Sequence, residues 1–275
     1  MNIKVSMFHV LGRRRIWLPG RLLAGTILLV PLVIAAALPM DFLPFDPFES
    51  VAEPFSAPSF EHPFGVDDLG RDLFSAILAG SQTSLTMGLA VAGLAMFIGV
   101  TIGVIAGFFG GYLDDVLMRL TELVQSVPRF FIAILMGAFF GGSFTTLVLV
   151  LGLTSWPGLA RITRAEALSL KSREFVTASF ALGGESYWVL TRHVLPHARR
   201  PVMAAVALII TSAILTEAGL SYLGISDPNV VSWGQLIDNA QSFLHLAWWL
   251  SVFPGLAIMI MVLGITLVAD GLSTD

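Results

Sequence analysis

Five polar side chains recur at helical spacing inside a mostly apolar stretch. They are Asp115, Arg119, Glu122, Gln125 and Arg129. Steps of three or four residues place them in one stripe along a helix. Charged groups within a membrane helix mark ion or proton paths or contact a charged solute. Asp115 and Arg119 also fit the membrane interface, and Arg119 can pair with Glu122 within the helix. Arg129 lies too deep in the stretch for that explanation.

Arg129 has one acidic candidate partner in a later apolar segment, Glu217. Counted from Leu113 and Val202, the two residues lie about 24 and about 22 Å along their helices, at about 1.5 Å per residue. We therefore predict that both face the same interior region, where they can form an ion pair. The alternative is that Arg129 snorkels alone to the outer interface.

Other arrangements of reactive residues are weak. His62, Asp67 and Asp68 form a conceivable metal site, although a solvated loop is the favoured interpretation. His193 and His197 are four residues apart and are better explained as part of a basic surface. The patterns GxxxxGK[ST], HExxH, GxSxG and CxxC do not occur in the sequence. We therefore expect no P-loop nucleotide site, no cofactor in this chain, no enzymatic activity of its own and no nucleic-acid partner.

The composition is that of a multi-pass membrane protein. Apolar residues make up 56% of the 275 residues, and the mean hydropathy is +0.84. Charged residues make up 12%, about half the share in an average globular domain. There is no cysteine, which excludes disulfides and thiolate chemistry.

Six apolar segments predict an all-α protein with six transmembrane helices. They cover residues 22–39, 84–109, 113–137, 144–160, 202–224 and 246–269. The first could be a signal peptide, cleaved after the small residues Ala35–Ala37; an uncleaved helix is favoured because more spans follow. The second predicted span carries Gly88, Gly93, Gly99, Gly103 and Gly107, which would let neighbouring helices approach closely.

Charge asymmetry predicts the orientation. Residues 161–200 hold seven of the fifteen Lys and Arg residues, whereas residues 40–81 hold eight acidic residues and one Arg. The positive-inside rule therefore places 161–200 and both termini in the cytoplasm, and 40–81 and 225–245 outside. This divides the chain into a cytoplasmic N-terminus with the first span (1–39), an acidic Pro-rich loop (40–81) and a five-helix core (82–272). Within the acidic loop, Asp67-Asp68 are predicted to cap a short helix.

The stretch from Arg173 to Pro196 predicts two short helices outside the bilayer. Helical spacing gives one apolar face, formed by Phe175, Ala178, Leu182 and Val189. Gly183-Gly184 should end the first helix, because glycine adopts the left-handed conformation of a helix C-cap. Leu195-Pro196 should stop the second and begin the helix that follows.

This stretch resembles the EAA loop of binding-protein-dependent ABC importer permeases. The loop pattern is E-A-A, three residues, G, nine residues, I-x-L-P; here it is matched by Thr177-Ala178-Ser179, Gly183, His193 and Leu195-Pro196. The spacing fits, but Thr, Ser and His replace the Glu, the second Ala and the Ile. Further runs resemble the C-type permeases of the dipeptide/oligopeptide/nickel branch over residues 63–272. They are HPFGVDDLGRDLFSAILAGSQTSL, SWPGLARITRAEALSLKSREFV, LTEAGLSYLGISDPNVVSWGQLI and AWWLSVFPGLAIMIMVLGITLVADGL.

The resemblance implies the type I importer (MetI-like) fold with a cytoplasmic coupling helix, in the inner membrane of a prokaryote. The implied partners are a second permease subunit, two ATPase subunits that bind ATP and Mg, an extracytoplasmic solute-binding protein and the lipid bilayer. The implied solutes are small peptides; nickel or a metal chelate is the alternative, and an ion-coupled secondary transporter is the alternative of another class. The ATPase-coupling residues would be Glu174, Phe175, Thr177, Ala178, Leu182, Gly183, Leu195 and Pro196. Candidates for the translocation path are Glu122, Arg129 and Glu217, with Arg129 meeting the carboxylate of a peptide as a further alternative.

Overall fold

A computed structural model of the chain describes residues 20–273. The predicted cytoplasmic N-terminal tail, with Lys4 and Arg13–Arg15, lies outside the described residues. The helices are α1 (Gly20–Ala37), α2 (Leu73–Phe109), α3 (Gly111–Ser126), α4 (Arg129–Phe140), α5 (Phe144–Lys171), α6 (Glu174–Ala181), α7 (Ser186–Val189), α8 (Leu195–Tyr222), α9 (Trp233–Ala240) and α10 (Trp249–Ser273).

The predicted six-span, all-α architecture is confirmed, with one span broken. Among the described residues, five helices are long and apolar enough to cross a membrane: α1, α2, α5, α10 and the continuous helix Ser186–Tyr222. Helices α3 and α4 together make the sixth, bent by 66°. The prediction of one continuous helix over 113–137 was therefore wrong. The break follows from Pro128, which forces Val127 into an extended conformation (φ −93°, ψ 129°) that ends α3.

Three long helices, α2, α5 and α8, pack together as the centre of the bundle. Glycines at every fourth position of α2 bring its backbone against α5, as predicted. A Cβ atom at Gly99 would lie 2.9 Å from the carbonyl oxygen of Trp156, and one at Gly107 would lie 2.5 Å from that of Arg164. A Cβ at Gly103 would overlap the carbonyl of Ala160. Gly88 likewise faces Ile210 and Ile214 of α8, but the prediction was wrong for Gly93, which has open space around it.

The two outer helices complete the bundle on one side. Helix α1 packs along α10, where Gly25 and Gly264 let the two backbones approach. Arg21 and Asp270 are 3.7 Å apart at one end of this contact. The first apolar segment thus packs against α10 as a helix of the fold.

Helix α8 begins earlier than predicted, because Leu195-Pro196 does not stop the preceding helix. Helix α7 continues through a π-helical turn, Leu190–Val194, directly into α8. In this turn the Leu195 N–H donates to the carbonyl of Leu190, five residues back. Pro196 occupies the first turn of α8, as predicted, where its missing N–H does not break the helix.

Candidate functional site

The segment between α5 and α8 is anchored to the bundle by a small apolar cluster. Val176, Val189 and Val194 are buried against Phe108 of α2 and Ala167 of α5. Lys171, the last residue of α5, donates from Nζ to the carbonyl of Phe108 at 2.6 Å. These contacts fix the position of α6 and α7 relative to the two central helices.

The turn between α6 and α7 has the predicted glycine geometry. Gly183 has φ +85°, in the left-handed region. Its N–H donates to the carbonyl of Phe180, and the N–H of Gly184 donates to that of Ser179, both at 2.9 Å. This pair of hydrogen bonds is the Schellman arrangement that ends a helix. The expectation that Gly183-Gly184 ends the first helix is confirmed.

The outer side of this segment exposes large apolar side chains. Leu182 is 90% exposed, and Phe175, Tyr187 and Trp188 are also exposed. We call residues 174–197, that is α6, the turn 182–185, α7, the π-helical turn and the first residues of α8, the coupling surface. Its exposed residues include the sequence-predicted Glu174, Phe175, Thr177, Ala178, Leu182, Gly183 and Pro196, whereas Leu195 is half-buried.

The predicted apolar face was wrong in one member. Val189 is buried in the anchoring cluster, so it does not share the exposed face of Phe175, Ala178 and Leu182. A separate apolar face made by Val176, Val189 and Val194 was missed, as was the exposure of Trp188. The available signal was the presence of a valine in each helix on either side of Gly183-Gly184, Val176 and Val189.

His193 and His197 belong to an aromatic group on the coupling surface. The ring of Phe175 lies 5.0 Å from that of His197, and the ring of Trp188 lies 5.0 Å from that of His193, measured between centroids. His197 Nδ1–H donates to the carbonyl of His193 at 2.5 Å. These contacts tie Phe175 to the first turns of α8.

A second candidate region is a cavity of about 430 Å³ at the break between α3 and α4. Helices α5 and α8 form its other walls. The lining residues are Val124, Gln125, Val127, Pro128, Arg129, Thr154, Ser155, Pro157, Gly158, Leu159, Ile162, Ala205, Leu208, Ile209 and Ser212. The break thus opens a partly polar space beside the central helices.

Arg129 lies in this cavity, but it does not pair with Glu217. Arg129 Nη2 donates to Ser212 Oγ of α8. Glu217 is 2% exposed, and its Oε1 accepts hydrogen bonds from Ser221 at 2.7 Å and Ser232 at 2.6 Å. The ion pair between Arg129 and Glu217 was therefore wrong, because equal depth along two helices does not fix their rotation. Snorkelling alone was also wrong, since Arg129 contacts protein.

The remaining charges of the predicted stripe lie outside the cavity. Arg119 and Glu122 are exposed on α3 and make no ion pair within residues 20–273, so their predicted pairing was wrong. The ion pair of α3 is instead made by the buried Asp114, which accepts from the partly exposed Arg164 Nε at 2.6 Å and Nη2 at 2.7 Å. Sequence reasoning chose the neighbouring Asp115, because periodicity within α3 carries no information about a partner on α5.

The last part of the loop before α2, residues 62–72, is packed and capped rather than solvated. His62 Nδ1 lies 2.9 Å from Asp72 Oδ1, and Asp67 accepts from Arg71 Nε at 2.6 Å. Asp72 is the N-cap of α2, where Oδ2 accepts from the Ser75 N–H at 2.7 Å. The cap was therefore wrongly assigned to Asp67-Asp68, and His62 and Asp67 are buried. Within residues 20–273, His62 and its neighbours form no cluster of three or more potential metal ligands.

Comparisons with known proteins agree on one family. The family model described as "Binding-protein-dependent transport system inner membrane component" matches residues 99–274. The chain is 34% identical over 252 residues to the oligopeptide transport system permease protein OppC of Bacillus subtilis, covering 91% of this chain and 83% of that protein. It is 33% identical over 216 residues to the dipeptide transport system permease protein DppC of Alkalihalophilus pseudofirmus, covering 78% of this chain and 71% of that one. An inward-facing structure of the MetNI methionine ABC transporter superposes with a TM-score of 0.61 at 15% identity, over 72% of this chain and 94% of the compared chain.

Proposed function

The chain belongs to the binding-protein-dependent transport system inner membrane component family, the membrane permeases of ABC importers, and we propose that it imports small peptides. In this proposal a second permease subunit completes the translocation path. Two ATPase subunits bind ATP and Mg, and an extracytoplasmic protein delivers the solute. The protein lies in the inner membrane of a prokaryote with both termini in the cytoplasm. Peptides are favoured because the two relatives described above, at 33% and 34% identity, are the permeases of a dipeptide and an oligopeptide transport system.

The observation that carries the proposal is the connection between the coupling surface and the cavity. The helix Ser186–Tyr222 begins in the coupling surface and passes the cavity at Ser212 without interruption. At about 1.5 Å per residue, Ser186 and Ser212 lie roughly 39 Å apart along this helix. A displacement of the coupling surface therefore moves a wall of the cavity, which is the mechanical link that alternating access requires.

The partner of the coupling surface would be an ATPase subunit. Large apolar side chains that are exposed on a short helix pair favour a protein groove as binding partner. Leu182 and Trp188 would provide the apolar anchors, with Phe175 and Ala178 beside them. When ATP binding draws the two ATPase subunits together, they would carry this surface with them as a rigid body, because Val176 and Val189 hold it to the bundle.

The coupling assignment is tested by Leu182→Ala in the complete importer. Leu182 is almost fully exposed, so its loss should leave the unfolding temperature of the permease unchanged. Truncating an interface anchor should weaken ATPase binding by about tenfold or more, measured by titration of purified ATPase subunits onto the permease in nanodiscs. ATP-dependent uptake should fall with it.

Phe60→Ala is the matched control, because Phe60 is also fully exposed but lies in the acidic loop before α2. It should retain normal ATPase affinity. Equal ATPase affinity in wild type and Leu182→Ala would refute the coupling assignment.

The orientation is tested by single-cysteine labelling, which the cysteine-free sequence allows without background. Phe60→Cys should react with a membrane-impermeant maleimide in intact cells, and Glu185→Cys only after permeabilisation. External labelling at residue 185 would contradict the cytoplasmic placement of the coupling surface.

A further inference from the structure

The cavity has one charged residue in its lining. Arg129 is that residue, and Gln125, Thr154, Ser155 and Ser212 are the other polar lining side chains. Thr154 Oγ1 already donates to the carbonyl of Val150 at 2.7 Å. Within residues 20–273, Arg129 makes a hydrogen bond to Ser212 but no ion pair with an acidic side chain. The cavity therefore carries a net positive charge.

Counting residues along α8 places the guanidinium at about the mid-membrane depth. Its partner Ser212 is about midway along the Pro201–Tyr222 part of α8, roughly 15 Å from either end at about 1.5 Å per residue. The hydrocarbon core of a bilayer is about 30 Å thick. An arginine at that depth is unfavourable in lipid and marks a site that faces water or protein.

Within residues 20–273, neither Glu122 of α3 nor Glu217 of α8 pairs with Arg129. Glu122 does not line the cavity. The Oε1 atom of Glu217 accepts from two serines, Ser221 and Ser232. A guanidinium has five N–H donors, and the hydrogen bond to Ser212 occupies one of them. Arg129 therefore keeps donor capacity for an anionic group that enters the cavity.

We infer that Arg129, which is hydrogen-bonded to Ser212, binds the carboxylate of the transported solute in the cavity and selects solutes that carry a carboxylate. This rests on the proposed function, in which the cavity is part of the translocation path, and it specifies the solute chemistry. Arginine suits the role because its planar fork can donate two parallel hydrogen bonds to one carboxylate. The terminal carboxylate of a peptide fits this site. A bare metal cation such as nickel does not, because a mid-membrane positive charge repels it.

The experiment compares two probes in proteoliposomes that hold the complete importer with its binding protein. The probes are radiolabelled trialanine and trialanine amide, which differ only in the terminal carboxylate. Uptake at subsaturating concentration is measured for wild type, Arg129→Gln and Arg129→Lys. The acid-to-amide uptake ratio of each variant is divided by the wild-type ratio, so that any preference of the binding protein cancels.

Loss of a charged hydrogen bond to the carboxylate should lower this ratio about tenfold or more in Arg129→Gln. Arg129→Lys should restore part of the acid-to-amide preference, because lysine keeps the positive charge but lacks the two parallel donors of the guanidinium. Arg119→Gln is the matched control, since Arg119 also lies in the predicted polar stripe but outside the cavity; its ratio should equal that of wild type.

The possible outcomes separate the carboxylate contact of Arg129 from the proposed import of peptides. An unchanged ratio in Arg129→Gln, with ATP-dependent uptake of trialanine by wild type, would overturn the carboxylate contact and leave the proposed function intact. A wild-type complex that imports neither probe while its ATPase remains stimulated by the binding protein would overturn peptide import, and the inference with it.

Discussion

The contact between α2 and α5 gives a sharp test of the fold, through the change Gly103→Ala. A Cβ at position 103 would overlap the carbonyl of Ala160 and lie 2.8 Å from the Cβ of Thr163 and 3.0 Å from the backbone nitrogen of Arg164. Two of these three atoms belong to the backbone of α5, so no side-chain rotation relieves the overlap. The helices must move apart.

The magnitude follows from two opposing effects. Replacing glycine by alanine in a helix is favourable by about 0.8–1 kcal/mol from intrinsic propensity. Overpacking a close helix contact costs about 1–3 kcal/mol. Gly93→Ala isolates the first effect, because nothing lies within 4 Å of a Cβ built there. We therefore expect Gly103→Ala to be less stable than Gly93→Ala by about 1–3 kcal/mol.

The assay is reversible unfolding in a mixed detergent, followed by far-ultraviolet circular dichroism, for wild type and both variants. Gly103→Ala should unfold at a lower denaturant fraction than wild type, and Gly93→Ala at the same fraction or a higher one. If the two variants were equally stable, the close approach of α2 and α5 would be refuted as a determinant of the fold.

Three further predictions concern other polar contacts. Asp72→Ala should lower the free energy of unfolding by about 1–2 kcal/mol through loss of the α2 cap, whereas Asp68→Ala should not change it; the same denaturation assay compares them. Hydrogen bonds from the backbone of Asn229 and of Phe144 hold the pKa of Asp227 below its ordinary value of 3.8. The Asp227 carboxylate therefore stabilises the fold above pH 3.8, and this stabilisation is lost as the pH falls through the lowered pKa. Between about pH 5 and about pH 3, the unfolding temperature of the wild type should therefore fall more steeply with decreasing pH than that of Asp227→Asn. Equal slopes of unfolding temperature against pH would exclude the effect. Arg164→Gln should destabilise the protein by about 1–3 kcal/mol, because Asp114 keeps its burial and loses a charged partner; adding Asp114→Asn should recover part of the loss, and a purely additive double variant would rule out the pairing.

The features predicted correctly from the sequence are those that depend on residues close together in the chain. The apolar segments fixed the number of spans, and Gly183 required the left-handed conformation that ends α6. The repeated glycines of α2 indicated close packing, although nothing in their spacing separated Gly93 from Gly103. That distinction depends on which side of α2 faces α5, and only the assembled bundle sets it.

The candidate site was harder to predict because it depends on rotation between helices. Counting residues along the two helices placed Arg129 and Glu217 at the same depth in the membrane. In the structure, however, Arg129 contacts Ser212 and Glu217 contacts Ser232. The break at Pro128 also reorients Arg129 relative to Glu122, so the polar stripe does not continue into α4. A pre-proline residue predicts such a break, but its angle of 66° is a property of the packed structure.

The short helix α4 has a consequence for how the protein is made. With twelve residues it is about 18 Å long, too short to cross a hydrocarbon core of about 30 Å. The extended backbone at Val127 cannot be left facing lipid, since its polar groups need partners. Helices α5 and α8, which flank it, are synthesised later. We therefore expect the α3–α4 segment to reach its final position in the membrane only after α8 has been synthesised.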